Sequence, residues 1–298
     1  MSQQFTSVPD PSAPELASTK YAQRRPGARR VNLSSLGAMT FLVVCTIYFL
    51  VPFLWLIVSA TKTRPEVSTT FGLWFAQDFH LFANLQILFT YNNSIFVRWL
   101  LNTLIYAGIG AVVGTVVASM AGYALAKYSF PGRTFVFTLV LGSVFVPSTM
   151  LALPLFLMMS HVALTNSYWS VLLPSLVSPF GVYLSRIYAA ALVPDELLEA
   201  ARLDGAGEFR TFVTIAMRLM MPALGTVFLF QFVAISNNYL LPLIMLSDEH
   251  LFPITVGLTN ARFLAIPGAL VSTIPLLIGC GFLQHYWRSG LGAGSIKG

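Results

Sequence analysis

The chain has 298 residues, of which 56% are hydrophobic and only 9% charged, with a formal net charge of +6 at pH 7. A soluble domain carries roughly 25% charged residues, so too little charge is present to cover a globule of this size, and lipid must solvate most of the surface. This excludes a soluble nucleic-acid binder, which the basic balance alone would suggest.

Residues 1–30 are rich in Pro, Ser and Ala and hold the basic cluster Lys20, Arg24, Arg25, Arg29 and Arg30. That composition predicts a disordered tail over residues 1–33. It does not read as a cleavable signal, because the next apolar run is too long for a signal core and lacks a small-residue cleavage pattern. Residues 34–298 read as one membrane domain.

A membrane helix needs about 20 mostly apolar residues, and intervals free of charge locate six of them. Span one is expected near residues 36–60, between Arg30 and Lys62, and span two near 100–125, between Arg98 and Lys127. The interval from Arg133 to Arg186 holds 52 uncharged residues, room for two spans. Ser160 and His161 through Thr165, Asn166 and Ser167 form a polar turn signal inside it. Span three is therefore expected at 134–159 and span four at 168–192. Span five falls between Arg218 and Asp248, and span six between Arg262 and Arg288. Membrane strands of about 10 alternating residues do not fit runs that are apolar all round. Cys45 and Cys280 fall inside apolar runs and read as small hydrophobes, not as a disulfide framework.

With the N-terminus in the cytoplasm, twelve Lys and Arg residues fall inside and four (Lys62, Arg64, Arg98 and Arg262) fall outside. Positive residues favour the cytoplasmic side, so the topology is N-in and C-in. Arg186 lies within span four, near enough to its cytoplasmic end to snorkel. In span two, Gly110, Gly114, Ala118 and Gly122 recur every fourth residue, a small-residue face against which another helix packs closely. Pro52, Pro147, Pro154, Pro174, Pro179, Pro242 and Pro275 all fall within the spans, where each removes a backbone donor and invites a kink.

The sequence has no Gly-x-x-x-x-Gly-Lys-Ser/Thr phosphate loop, no His-Glu-x-x-His and no Gly-x-Ser-x-Gly elbow. The spans carry almost no ionisable residue. A proton- or sodium-coupled carrier needs carboxylates or broken-helix ion sites at mid-membrane, so the energy for any transport is expected from outside the chain.

The loop between spans four and five, residues 193–219, holds five of the eleven acidic residues: Asp195, Glu196, Glu199, Asp204 and Glu208. Pro194 suits a first helical turn, the acids favour the positive end of the helix, and Gly205 suits a left-handed cap. A second helix follows with Phe209, Phe212, Val213 and Ala216 as one apolar stripe, running into span five near Pro222. Carboxylates beside very small side chains make a docking knob, able to approach a partner closely and pair with its Arg or Lys. An acidic helix lying on an anionic inner leaflet is disfavoured.

The string Glu199-Ala200-Ala201-Arg202-Leu203-Asp204-Gly205-Ala206, with nine residues between Gly205 and Ile215, resembles the EAA loop of ATP-binding-cassette importer permeases in its MalG-like, carbohydrate-importing form. The likeness extends to Asn102-Thr103-Leu104, Gly122-Tyr123-Ala124-Leu125-Ala126, Phe130-Pro131-Gly132-Arg133, residues 164–169, 237–242 and 293–298. The chain departs from the pattern at Met217-Arg218, where the family has Leu-Pro, and at Ser236, where an aromatic is common.

The resemblance implies an all-α, six-span permease of the prokaryotic inner membrane, with a cytoplasmic coupling helix between spans four and five. It implies as partners a homologous second permease, two cytoplasmic ATPase subunits that bind ATP and Mg, and an extracellular or periplasmic sugar-binding protein. No cofactor is expected on this chain, whose remaining surroundings are membrane lipid and not nucleic acid. Glu199, Ala200, Ala201, Arg202, Asp204 and Gly205 would form the ATPase contact. Asn102, Gln231, Asn237, Asn238 and Tyr239 either line a solute path or hydrogen-bond between helices. A secondary transporter or channel for a small polar solute, or an intramembrane enzyme, is the competing class. Neither accounts for the acidic loop.

Overall fold

The computed structural model describes residues 33–292, and among these every regular element is helical. The expected tail before Leu33 and the motif residues 293–298 lie outside the described residues, as do the side chains of Cys280 and Arg288.

In chain order the helices are α1 (Leu33–Ala60), α2 (Arg64–Thr69), α3 (Leu81–Thr90), α4 (Ile95–Lys127), α5 (Arg133–Val144), α6 (Ser148–His161) and α7 (Tyr168–Ser175). They continue with α8 (Pro179–Leu192), α9 (Asp195–Leu203), α10 (Glu208–Thr211), α11 (Met217–Ser236), α12 (Leu240–Met245), α13 (Ile254–Asn260) and α14 (Ala265–Gly292). Among the described residues, five stretches are long and apolar enough to cross a membrane, and six if α5 and α6 count as one bent span.

The chain divides into two compact units, one ending at Val51 and one starting at Pro52. In the first, α1 exposes Met39, Phe41, Ile47 and Phe49, a face suited to lipid and not to water. Cys45 there carries a free thiol.

The second unit is built around α4, which packs against both α8 and α11. The small-residue face explains how closely. A β-carbon added to Gly122 would lie 2.5 Å from Ser185 Cβ and 2.6 Å from the backbone nitrogen of Arg186, so a side chain there would displace α8 itself. Two apolar clusters close the ends of the bundle. One gathers Phe96, Trp99, Tyr106, Met245, Val256 and Leu264. The other gathers Tyr123, Ala189, Val193, Leu198, Phe212 and Met220.

Three expectations need correction. Span three is not one helix over 134–159: α5 and α6 meet at 105°. Pro147 has no N–H and turns Val146 away from helical backbone, and its own ψ of 125° redirects the chain. Span four does lie over Tyr168–Leu192 as expected, with a break inside it before Pro179. Ser178 is extended there, and its Oγ accepts a 3.0 Å hydrogen bond from the Gly181 amide. Span five begins earlier than Arg218, because the helix runs continuously from Glu208 to Ser236 through a π-helical turn at Phe212–Ala216. With Met217 and Arg218 in place of Leu-Pro, nothing stops the helix there. Of the expected stripe, Phe212 and Ala216 are buried while Phe209 and Val213 are exposed. The wide turn rotates the helix, and burial continues on Met220, Ala223 and Val227.

Arg186 does not project freely. Its guanidinium lies 3.7 Å from the centroid of the Phe137 ring, and Nε donates to the carbonyl of Leu125 at 3.4 Å. This joins α8 to α5 and to the end of α4.

Candidate functional site

The acidic loop folds as α9, with Pro194 just before the helix and Asp195 and Glu196 in its first turn, where the helix dipole favours them. Leu198 and Ala201 are buried beneath it and hold it on the bundle. The helix ends as the sequence suggests. Gly205 has φ +76°, the Gly205 amide donates to Arg202 O at 3.0 Å and the Ala206 amide donates to Ala201 O at 2.9 Å. These two bonds define a Schellman cap, which needs a left-handed residue at the position Gly205 occupies.

The six residues expected at the partner contact divide into two groups. Glu199, Ala200, Asp204 and Gly205 are exposed. Ala201 faces inward, so its small side chain serves the seat of α9 on its own chain. Arg202 is exposed but engaged: its Nε donates to Glu208 Oε1 at 2.9 Å, and this carboxylate raises the guanidinium pKa.

A set of contacts that the sequence does not signal fastens α9 and the start of α10 to the end of α4. Lys127 Nζ donates to Asp195 Oδ1 at 2.7 Å. The hydroxyl of Tyr128 donates to Glu208 Oε2 at 2.6 Å. Burial, reinforced by this donation to a carboxylate, raises the Tyr128 pKa and keeps the hydroxyl protonated. Asp195 and Glu208, two of the five carboxylates of the loop, thus pair within the chain. The outward face of α9 is left with Glu196, Glu199 and Ala200, beside Leu203, which is 90% exposed, and Phe209, which is 70% exposed. Exposed apolar side chains of this size mark an interaction surface.

The second site is a cavity of about 730 Å³. The interruptions of three spans meet at it: Ser143 and Ser148 flank the α5–α6 bend, Ser178 lies in the α7–α8 break, and Asn237 follows α11. Gln231, Asn238 and Tyr239 also line it, so four of the five expected path residues come together. The fifth does not. Asn102 is buried, and its Nδ2 donates to the carbonyls of His250 and Phe252 at 2.8 and 3.0 Å. Its Oδ1 accepts from the Tyr168 hydroxyl at 2.7 Å. Those three bonds use most of the capacity of a carboxamide, and they pin the 249–252 turn to α4 away from the cavity.

Comparison with known proteins agrees with this architecture. The family model of the binding-protein-dependent transport system inner membrane component matches residues 110–284. The arabinooligosaccharides transport system permease protein AraQ of Bacillus subtilis is 35% identical over 266 residues, covering 87% of this chain and 94% of that protein. The trehalose/maltose transport system permease protein MalG of Thermococcus litoralis is 29% identical over 275 residues, covering 88% and 95%. In structure, the chain is similar to a bacterial ABC transporter involved in the import of the acidic polysaccharide alginate, with TM-score 0.72 and 21% identity over 87% of this chain and 98% of that one. The chain therefore belongs to the inner membrane components of binding-protein-dependent transport systems, as a multi-pass permease subunit of an ABC importer.

Proposed function

We propose that this chain conducts a carbohydrate across the membrane, and that it hydrolyses nothing itself. Separate cytoplasmic ATPase subunits bind ATP and Mg and drive it through α9. An extracellular or periplasmic binding protein delivers the solute, and a homologous second permease completes the pathway. The N- and C-termini then lie in the cytoplasm with α9. Relatives that transport arabinooligosaccharides and trehalose or maltose support the carbohydrate class.

The observation that carries the mechanical part is the division of α9 into two faces. One face and both flanks are fastened to α4 through Leu198, the Lys127–Asp195 pair and the Tyr128–Glu208 bond. The other offers Glu199 and Ala200 beside exposed Leu203 and Phe209. A rigid knob seated on the central helix transmits a push, whereas a floppy loop would absorb it. Glu199 supplies a charge-assisted contact to an Arg or Lys of the ATPase, and Ala200 lets the surfaces close.

The test is the reconstituted complex in proteoliposomes, measuring ATP hydrolysis and solute uptake together. Glu199→Lys reverses the charge on an exposed position. It is expected to leave the permease in the membrane while uptake per ATP hydrolysed falls severalfold. Uptake per ATP equal to that of the unaltered complex would remove Glu199 from the coupling contact.

A further inference from the structure

We infer that the end of the bundle opposite α9 carries a binding site for an anionic phospholipid headgroup. It lies in the cavity between the end of α1, α2, α3 and the Arg262–Leu264 turn, with Arg64 and Arg262 holding the phosphate. The site is independent of which solute the importer carries.

Positive charge converges here. The cavity has a volume of about 490 Å³, and its lining includes Lys62, Arg64, His80 and Arg262 but no Asp or Glu. Lys62, Arg64 and Arg262 are three of the four Lys and Arg residues expected outside, and the fold gathers them although Arg262 is far from the other two in sequence. Arg64 and Arg262 are exposed, and among the described residues neither guanidinium has a hydrogen bond or a carboxylate partner. Arg64 Cζ stands 4.7 Å from the centroid of the Phe263 ring, which brings it to the residue beside Arg262. Lys62 has a different part. It is buried, and its Nζ donates to Thr70 Oγ1 at 2.9 Å and to Phe71 O at 2.7 Å, so it adds charge to the wall and not a contact. Glu66, the acid of α2, is engaged by the Thr63 amide and hydroxyl at 2.8 and 2.7 Å and lies outside the lining.

The walls are fixed to one another. Asn84 Nδ2 donates to the carbonyls of Ala60 and Lys62 at 2.8 and 2.9 Å, and the His80 amide donates to Thr61 O at 2.8 Å. The Phe263 ring meets Tyr91 edge to face with centroids 4.7 Å apart. The end of α1 and the turn bearing Arg262 are thus both held against α3.

The surroundings select a lipid over a soluble anion. The rest of the wall is largely apolar, with Val67, Ile87, Leu264 and Ile266. The segment joining α2 to α3 carries Trp74, Phe75 and Phe79, and with Phe82 these form a row of rings whose successive centroids are 6.1, 6.5 and 6.4 Å apart. All four are exposed, Trp74 by 69% and Phe82 by 77%. Such a row at the end of a span belongs at the level of the headgroups, where aromatic rings anchor membrane proteins. Basic pockets between membrane helices take acidic headgroups, and a guanidinium meets a phosphate with two parallel hydrogen bonds. A zwitterionic headgroup would bring its ammonium into a lining with three cations and no carboxylate, so the site discriminates in favour of a net negative lipid.

The experiment uses the complete importer in nanodiscs with a phosphatidylglycerol that carries a photoactivatable diazirine near its headgroup. Labelling is expected on peptides within residues 59–91 and 261–267. Unlabelled phosphatidylglycerol should compete, whereas phosphatidylcholine and soluble sn-glycerol 3-phosphate should not. Equal competition by phosphatidylcholine would overturn the charge assignment. Competition by sn-glycerol 3-phosphate would overturn the lipid source in favour of a soluble anion. One Lys or Arg near a membrane surface changes affinity for acidic lipid about fivefold. Arg64→Gln and Arg262→Gln, both at exposed positions, should therefore each raise the phosphatidylglycerol needed for half-maximal competition about fivefold, and the double variant should raise it further. Arg98→Gln removes a cation from the same side but outside the cavity, where Nε donates to His250 O at 3.0 Å, and should leave competition unchanged. An equal shift in Arg98→Gln would reduce the site to diffuse attraction and overturn it. Unchanged competition in the double variant would also overturn it, and weaker association of the binding protein in that variant would assign the two guanidiniums to a protein contact instead.

Discussion

Lys127 Nζ lies 2.7 Å from Asp195 Oδ1, and the two partners are unequally buried: the lysine side chain is 7% exposed and the aspartate 75%. The pair joins the last residue of α4 to the first of α9, so it sits where a movement of α9 must pass into the central helix.

That inequality makes an asymmetric prediction. Lys127→Met keeps the aliphatic stem and leaves an aspartate in water. It should cost no more than about 1 kcal/mol, the range of an exposed ion pair. Asp195→Asn leaves a buried ammonium without its counter-charge, which should cost about 1–3 kcal/mol. Asp195→Asn is therefore expected to lower uptake per ATP hydrolysed more than Lys127→Met does. Equal effects would mean that the pair carries no mechanical load. Thermal unfolding of the detergent-solubilised complex separates lost stability from lost coupling.

Gly205 gives a second prediction. Its φ of +76° is reached readily by glycine and at a cost of about 1–2 kcal/mol by an ordinary L-residue. Gly205→Ala should loosen the cap of α9 and speed amide hydrogen exchange in that helix by about tenfold, and Gly205→Asn should be milder because Asn tolerates the left-handed region. Gly205→Pro cannot reach that φ and loses the amide that donates to Arg202 O at 3.0 Å. Exchange in α9 that is the same in all three variants would show that the cap does not hold the helix.

The parts of the fold that were legible were those written in local spacing. Gly110, Gly114, Ala118 and Gly122 encode a close approach directly, because only small side chains admit a neighbouring helix. Gly205 encodes its turn by itself. Asn102 was not legible: a polar residue at a span's start announces a need for hydrogen bonds but not their source, and its acceptors lie about 150 positions away at His250 and Phe252. Nor could the prolines be ranked. Pro52, Pro154, Pro174 and Pro275 remain inside helices, whereas Pro147 and Pro179 stand at breaks. The same applies to Glu208, one of five carboxylates in the loop, whose partners Tyr128 and Arg202 come from two different helix ends.

Asn102 should behave as a structural residue. Asn102→Leu would strand the carbonyl of Phe252 and the hydroxyl of Tyr168, buried or partly buried groups worth about 1–3 kcal/mol apiece when left unsatisfied, while the carbonyl of His250 keeps its bond from Arg98 Nε at 3.0 Å. The expected outcome is a lower melting temperature of the solubilised complex and faster proteolysis near the 249–252 turn. Relative uptake of different sugars should be unchanged. Altered preference among sugars in Asn102→Leu, with no loss of stability, would return this residue to the solute path.

The Arg186–Phe137 contact tests whether α5 is held rigidly. The guanidinium stands 3.7 Å from the ring centroid, and a cation over an aromatic face contributes about 0.5–2 kcal/mol, more as it is desolvated. Phe137→Leu keeps apolar volume and removes the ring, while Arg186→Lys keeps the charge and loses the planar group that stacks and reaches Leu125 O. Because α5 is bent 105° from α6, it has little of span three to steady it. Both variants should therefore free α5 before they destabilise the α4–α8 packing around Gly122. Spin labels at exposed Phe135 and Leu139 are expected to report increased motion in either variant. A label placed on α4 at exposed Val112 should be unaffected. Equal mobility changes at all three positions would mean that Arg186 steadies the bundle as a whole and not α5 alone.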